Sequence, residues 1–266
     1  MKVLGQLRKM DVEAQSPIAY FLSLDKNSYP LNQHIGESIS LKWAGTITCI
    51  ECGRKTRKSY DQGYCFPCSR DLPGNAMCSV RPELCEHEKG NEADQEFWRT
   101  HCNIDHFVYL SLTSGVKVGI TRHYNIPDRW IDQGAVKGLI IAKVPERVLS
   151  GQIEVAIAKD FADKTNWRKM LKGEVAEVDL LTFRDKAQEL FPTELKKYAV
   201  KDGQVEELVY PVESVPEKIS SHNLDKTPEF TDRLTGIKGQ YLIFERRVIN
   251  MRKYGGYHVE FDFQDR

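Results

Sequence analysis

Residues 107–120 read FVYLSLTSGVKVGI, and the architecture of the chain follows from how this run is parsed. Phe107, Tyr109 and Leu110 lead into Thr113-Ser114-Gly115, after which Val116, Val118 and Ile120 resume the apolar pattern. Two short apolar runs around a Gly-containing break predict a β-hairpin. Toward the C-terminus, Pro127 is placed for a first helical turn, where its missing N–H is no loss, so residues 128–133 are expected to be helical. A short strand is expected over residues 139–144. Ser150 then reads as an N-cap, with Ile153, Ala156, Ile157, Phe161 and Ala162 as an apolar stripe at helical spacing.

Toward the N-terminus, residues 49–105 hold all seven cysteines and little periodic apolar pattern. Metal is therefore expected to replace much of a missing core. Cys49-x2-Cys52 and Cys65-x2-Cys68 are separated by twelve residues. Each pair suits a tight knuckle, Gly53 and Gly63 supply backbone freedom, and four thiolates would close a tetrahedral zinc shell with no position left for substrate. That makes the expected zinc site structural; a redox dithiol pair or an iron–sulfur cluster is the alternative. Between the pairs run Arg54, Lys55, Arg57 and Lys58, with Tyr60 adjacent. Such a loop could grip phosphates and stack a base, or be an ordinary solvated basic tip.

A looser set comprises Cys78, Cys85, His87, His101, Cys102 and His106. Three cysteines and one histidine would make a second closed zinc site, with Cys78, Cys85 and Cys102 as ligands and His106 or His87 as the fourth. The alternative is three small buried thiols beside surface histidines.

The outer segments read as strands. Residues 18–22 and 39–43 alternate around a turn at Pro30-Leu31-Asn32, and residues 241–244, 248–251 and 257–261 repeat the habit near the C-terminus. The acidic, Pro-containing residues 201–218 read as an exposed loop or linker. One β-domain shared by the first and last segments is an arrangement the pattern allows.

Composition bounds the rest. In 266 residues, 41% are apolar and 29% charged, an ordinary globular balance with room for several small domains. The 38 basic and 38 acidic residues cancel, which argues against a chain-wide electrostatic grip on nucleic acid but leaves room for a local patch. No run approaches the roughly 18 apolar residues of a membrane span. The opening MKVLGQLRKMDVEAQ lacks the apolar stretch of a secretory signal, so a cytoplasmic location is expected. Paired cysteines there indicate metal rather than disulfides.

Residues 107–172, about a quarter of the chain, resemble the GIY-YIG nuclease superfamily. Val108-Tyr109-Leu110 stands where that family has Gly-Ile-Tyr, and Lys117-Val118-Gly119 where it has Tyr-Ile-Gly, followed by Ile120-Thr121-Arg122. Arg129 in Pro127-Asp128-Arg129-Trp130 matches the family's helical arginine, Glu154 its later glutamate, and Asn166 its asparagine. The resemblance implies a catalytic set of Tyr109, Lys117, Arg129, Glu154 and Asn166. Within it, Glu154 would hold one Mg²⁺ or Mn²⁺, Arg129 would clamp phosphate oxygens, and Tyr109 would position or deprotonate the water. Gly119 would let the backbone lie close to the scissile strand. Lys117 departs from the family's second tyrosine, as it does in some branches of the superfamily. Nearly the whole chain also looks like a bacterial family of unassigned function that joins a zinc ribbon to this hairpin domain. Gly134-Ala135, Asn166-Trp167-Arg168-Lys169 and Gly236-Ile237-Lys238-Gly239-Gln240-Tyr241 carry that likeness. Arg168 and Lys169 join the basic loop as expected nucleic-acid contacts.

The expected molecule is a multidomain α+β protein. It has a β-rich segment over 1–48, a zinc-ribbon module over 49–105, a GIY-YIG-like three-stranded sheet with helices over 106–172, and a β-rich domain over 173–266. Its expected function is metal-dependent cleavage of DNA or RNA, with the zinc module positioning the substrate. The alternative is a non-catalytic module that binds nucleic acid or another protein.

Overall fold

Hydrogen-bonded pairing joins the first and last strands of the chain, so its β-material is not partitioned in sequence order. The computed structural model describes residues 1–158 and 166–264. In chain order the elements are β1 (Lys2–Gln6), β2 (Asp11–Glu13), β3 (Ala19–Leu24), β4 (Asn27–Pro30), β5 (Ser38–Thr48), β6 (Lys55–Thr56), α1 (Phe66–Asp71) and α2 (Glu92–Phe97). They continue with β7 (His106–Leu112), β8 (Val116–Arg122), α3 (Asp128–Asp132), β9 (Lys137–Val144), α4 (Arg147–Ala158), α5 (Trp167–Lys172), α6 (Leu180–Glu189) and β10 (Glu206–Glu207). Last come β11 (Glu229–Lys238), β12 (Tyr241–Phe244), β13 (Val248–Asn250) and β14 (Tyr257–Phe263). Two units result, one formed by Met1–Asp71 with Val209–Arg266, the other by Leu72–Leu208.

In the first unit a mainly antiparallel sheet runs β1-β14-β5-β11-β12-β13, with β6 added beside β5; β2, β3 and β4 form a second, three-stranded sheet. The alternation of β14 accounts for its place in the sheet. Tyr257, Val259, Phe261 and Phe263 are buried, while His258, Glu260 and Asp262 between them are half-buried, as a strand with one core-facing side requires. Its partner β5 sets Leu41 opposite both Phe261 and Phe230, so one leucine stands between two phenylalanines. The turn of the first hairpin falls at Asp25-Lys26, between β3 and β4, while residues 32–34 form a single tight helical turn.

The second unit holds an antiparallel sheet of order β10-β9-β7-β8, with β7 central. Both faces of β7 are covered. Val108, Leu110 and Leu112 pack with Ile153 and Ile157 of α4 and with Leu180 and Ala187 of α6. Tyr109 points the other way, against Trp130 of α3 and Ala135. Two glycines make that second face possible. A Cβ at Gly138 would lie 2.3 Å from the Trp130 ring, and one at Gly119 would lie 2.5 Å from the Tyr109 hydroxyl oxygen. The ring that lies across Gly119 is reason enough for a glycine there. Gly119→Ala is expected to cost about 1–3 kcal/mol by overpacking a ring with nowhere to move; urea denaturation of the two proteins checks it.

Several expectations need correction. The sheet has four strands, not three, because Glu206–Glu207 pairs with β9. The cysteine-rich residues 49–105 are not one module: the first four cysteines belong to the first unit and the other three to the second. Residues 173–208 belong with the hairpin, and 180–189 there are helical, not strand-like. Ser150 is not an N-cap. It lies inside α4 and its hydroxyl donates to the Arg147 carbonyl at 2.6 Å, the back-bonding open to an interior serine. Phe161 and Ala162 lie outside the described residues.

Candidate functional site

Cys49 directly follows β5, which turns back through β6 to close the first knuckle. The Gly53 N–H donates to the Cys49 carbonyl at 3.0 Å, and Gly53 adopts a φ of +71° that a side chain would resist. Cys65 immediately precedes α1, and Cys68 lies in it. All four sulfurs lie within 4.8 Å of one another. Cys52 and Cys65 are 3.7 Å apart, against about 3.8 Å for the edge of a tetrahedron with 2.3 Å zinc–sulfur bonds. Burial works to raise the Cys49 thiol pKa, but N–H groups of Cys52, Cys65 and Glu51 outweigh it and bring it down to about 6. These residues could hold a metal ion such as zinc. The knuckle is seated on the sheet: Ser59 donates to the Gly255 carbonyl at 2.8 Å and Arg8 to the Ile50 carbonyl at 2.9 Å.

Arg54, Lys55, Arg57 and Lys58 are exposed beside this cluster. Lys58 stands 5.5 Å over the Tyr60 ring, which meets Phe66 edge-on at 5.6 Å. Phe66 is half exposed and has Arg70 over it at 5.7 Å, so two aromatic rings share one basic surface. The motif reading had identified Tyr60 but not Phe66 or Arg70. In the second unit Arg168 stacks on Trp167 at 4.2 Å, beside Lys169 at the start of α5.

The second cysteine set forms its own cluster. Cys78, Cys85 and His87 offer ligand atoms within 4.8 Å of one another, and Cys102 Sγ lies 3.7 Å from Cys85 Sγ. His87, not His106, is the imidazole among these thiols. His106 is buried, its Nδ1 on the Ile104 carbonyl at 2.8 Å, and burial pushes its pKa down to about 4. His101 stacks on Phe97 at 4.3 Å.

On the α3-covered face of the hairpin, the Tyr109 hydroxyl donates to Gln133 Oε1 at 3.2 Å, with Ser111 near the same oxygen at 3.4 Å. The Arg129 guanidinium is also within hydrogen-bonding reach of that hydroxyl. Burial raises the Tyr109 pKa; Arg129 and Gln133 oppose the rise, while the Glu154 carboxylate is near enough to add to it. The phenol therefore stays protonated at neutral pH. It has no exposed surface in this structure. Lys117 pairs across the hairpin with Ser111, and Gly119 with Tyr109, so Lys117 shares the Tyr109 face. Arg129, Lys117 and Glu154 are all half-buried, with surface left for solvent.

Asn166 stands at the start of α5. It caps α5, accepting from the Arg168 and Lys169 N–H groups at 3.0 and 3.2 Å, and its own N–H donates to Ser114 Oγ in the hairpin turn. Gln133 and Ser111 are additions that no motif marked.

An α+β chain with a four-cysteine cluster that could hold a metal, and with no helix among the described residues long and apolar enough to cross a membrane, is the class these features define. A family model described as "Protein of unknown function (DUF2797)" matches residues 36–259, and the chain belongs to that family. No curated protein and no solved structure matches it.

Proposed function

We propose that the chain is a metal-dependent phosphodiesterase of GIY-YIG type acting on nucleic acid, with zinc held by Cys49, Cys52, Cys65 and Cys68 as a structural ion. The observation that carries this reading is that Arg129 and the Glu154 carboxylate, from two helices far apart in sequence, both act electrostatically on the buried Tyr109 phenol of the central strand. Glu154 would hold one Mg²⁺ or Mn²⁺, with several waters retained, as a lone carboxylate does. When bound, such an ion neutralises phosphate charge and acidifies a water. Arg129 forks onto the non-bridging oxygens, with the Tyr109 hydroxyl beside its planar group. Lys117 adds positive charge on the same face. The oxygen of water forms the new bond to phosphorus, the bond to the leaving oxygen breaks with its electron pair, and the proton released by water passes to solvent. The basic aromatic surface of Tyr60 and Phe66 supplies contacts to backbone and bases.

The test is incubation of the purified chain with end-labelled single-stranded, duplex and branched DNA and RNA, with Mg²⁺ or with EDTA. Products that appear only with the divalent ion are expected; uncut substrates in every combination would overturn the reading. Tyr109, sealed from solvent, favours a second reading, a hairpin domain that binds nucleic acid without cutting it. Salt-dependent binding with no turnover is its signature.

A further inference from the structure

Cys78, Cys85 and Cys102 are brought together with His87 by a series of single helical turns at 77–79, 82–84 and 87–89 and by a wider turn over 98–102. We propose that these four side chains bind a second zinc ion, that Asp94 orients its imidazole ligand, and that this site fixes the helix carrying Glu154. Three donors are in place, Cys78, Cys85 and His87 offering ligand atoms within 4.8 Å of one another. Cys102 stands 3.7 Å from Cys85 but outside that group, so its side chain must turn inward to close the shell on an edge of about 3.8 Å. His87 Nε2 faces the thiols, 3.1 Å from Cys78 Sγ. The other ring nitrogen, Nδ1, meets Asp94 Oδ1 at 3.0 Å. A carboxylate on the far nitrogen is how proteins set the tautomer and aim of a zinc-bound histidine.

Asp94 is itself fixed. Its second oxygen accepts from the Asn91 N–H at 3.2 Å, and its own N–H donates to Asn91 Oδ1 at 3.0 Å, a reciprocal cap on α2. Gly90 leaves the room this needs, since a Cβ there would lie 2.4 Å from the Asp94 Cβ. Three thiolates and a neutral imidazole around Zn²⁺ leave one negative charge, and the Arg147 guanidinium stands within hydrogen-bonding reach of Cys102 to balance it.

Arg147 opens α4, and it also donates to the Ser79 carbonyl at 3.2 Å. At Gly151 the contact is closer, for a Cβ there would lie 2.4 Å from the Glu83 nitrogen. The loop between the ligands is thus pressed on α4 one turn before Glu154. That positioning role rests on the phosphodiesterase reading; the metal site does not.

Metal analysis of the full chain decides it. Zinc per chain should be two, and X-ray absorption should show seven sulfurs and one imidazole nitrogen shared between two ions, as the two clusters predict. His87→Ala should lower the content to one, whereas His106→Ala should leave two. Should His87→Ala misfold, His87→Cys keeps the test open: it should fold, hold two ions and show eight sulfurs. Asp94→Asn should weaken retention of the second ion against a chelator by about 10–100-fold. One zinc in the wild type, loss on His106→Ala but not His87→Ala, or a folded His87→Cys protein with one ion would each overturn the site. A second zinc confirmed alongside an absence of nuclease activity would retain the site and reject only its role in placing Glu154.

Discussion

Glu154→Gln is expected to lower Mg²⁺-dependent cleavage by about 100-fold or more while leaving the fold intact. The estimate follows from the cost of removing one preorganised charged group from a site where charge develops, typically about 10²–10³ in rate. Glutamine keeps the shape and hydrogen-bonding length of glutamate but loses the negative charge that holds a hard divalent ion. Glu154 is half-buried on α4, whose apolar side is anchored by Ile153 and Ile157 in the core of the second unit. The helix should therefore stay folded, and circular dichroism should not distinguish the two proteins. Single-turnover kinetics is the appropriate measurement, because it isolates the chemical step from product release. A variant that cuts at the parental rate would place the chemistry elsewhere.

The second large effect is on stability. Cys65→Ser should remove one zinc equivalent and lower the unfolding temperature of the first unit by about 10 °C or more. A structural zinc contributes roughly 10–16 kcal/mol of apparent binding free energy, which appears as folding free energy because no site exists in the unfolded chain. Whole domains are stable by only about 5–15 kcal/mol, so even a partial loss is large, and each kcal/mol moves the midpoint of a domain this size by a few degrees. Cys65 is buried and directly precedes α1, so serine there leaves both a vacancy in the shell and a loosened knuckle. Loss of the knuckle also removes the Ser59 and Arg8 contacts that seat it on the sheet. Calorimetry with metal analysis checks the result, and a strong chelator should reproduce it in the unmutated protein. An unchanged midpoint with full zinc content would refute the structural role.

Local pattern carried much of this architecture and stopped where packing took over. The hairpin over 107–120 was legible because apolar residues and a Gly-containing turn are both local signals, and β12 was read to the residue. The four-thiol cluster was legible because two Cys-x-x-Cys knuckles need no distant information. Helix α6 was overlooked although Asp179 caps it through the Leu181 and Thr182 N–H groups and Leu180, Phe183 and Ala187 share one face. Its signals were present but sat in a polar stretch that was grouped with the strands at 241–261. The fourth ligand could not be chosen, because His87 and His106 differ only in where successive tight turns deliver them. A carboxylate seven residues beyond His87 was the one available clue, and its meaning depends on the capping box that turns Asp94 back toward the ring. Tyr109 shows the same limit from the other side: the motif located the residue, but its burial under α3 is a property of packing alone.

The central claim is that Arg129 and Glu154 flank a site for a hard divalent ion and a phosphate. Anomalous diffraction at the manganese edge, from crystals grown with Mn²⁺ and a short oligonucleotide, tests it most directly. A peak about 2.1 Å from a Glu154 carboxylate oxygen, with a phosphate between it and the Arg129 guanidinium, is the result this account predicts. Manganese bound elsewhere, with Glu154 free of any ion, would contradict it.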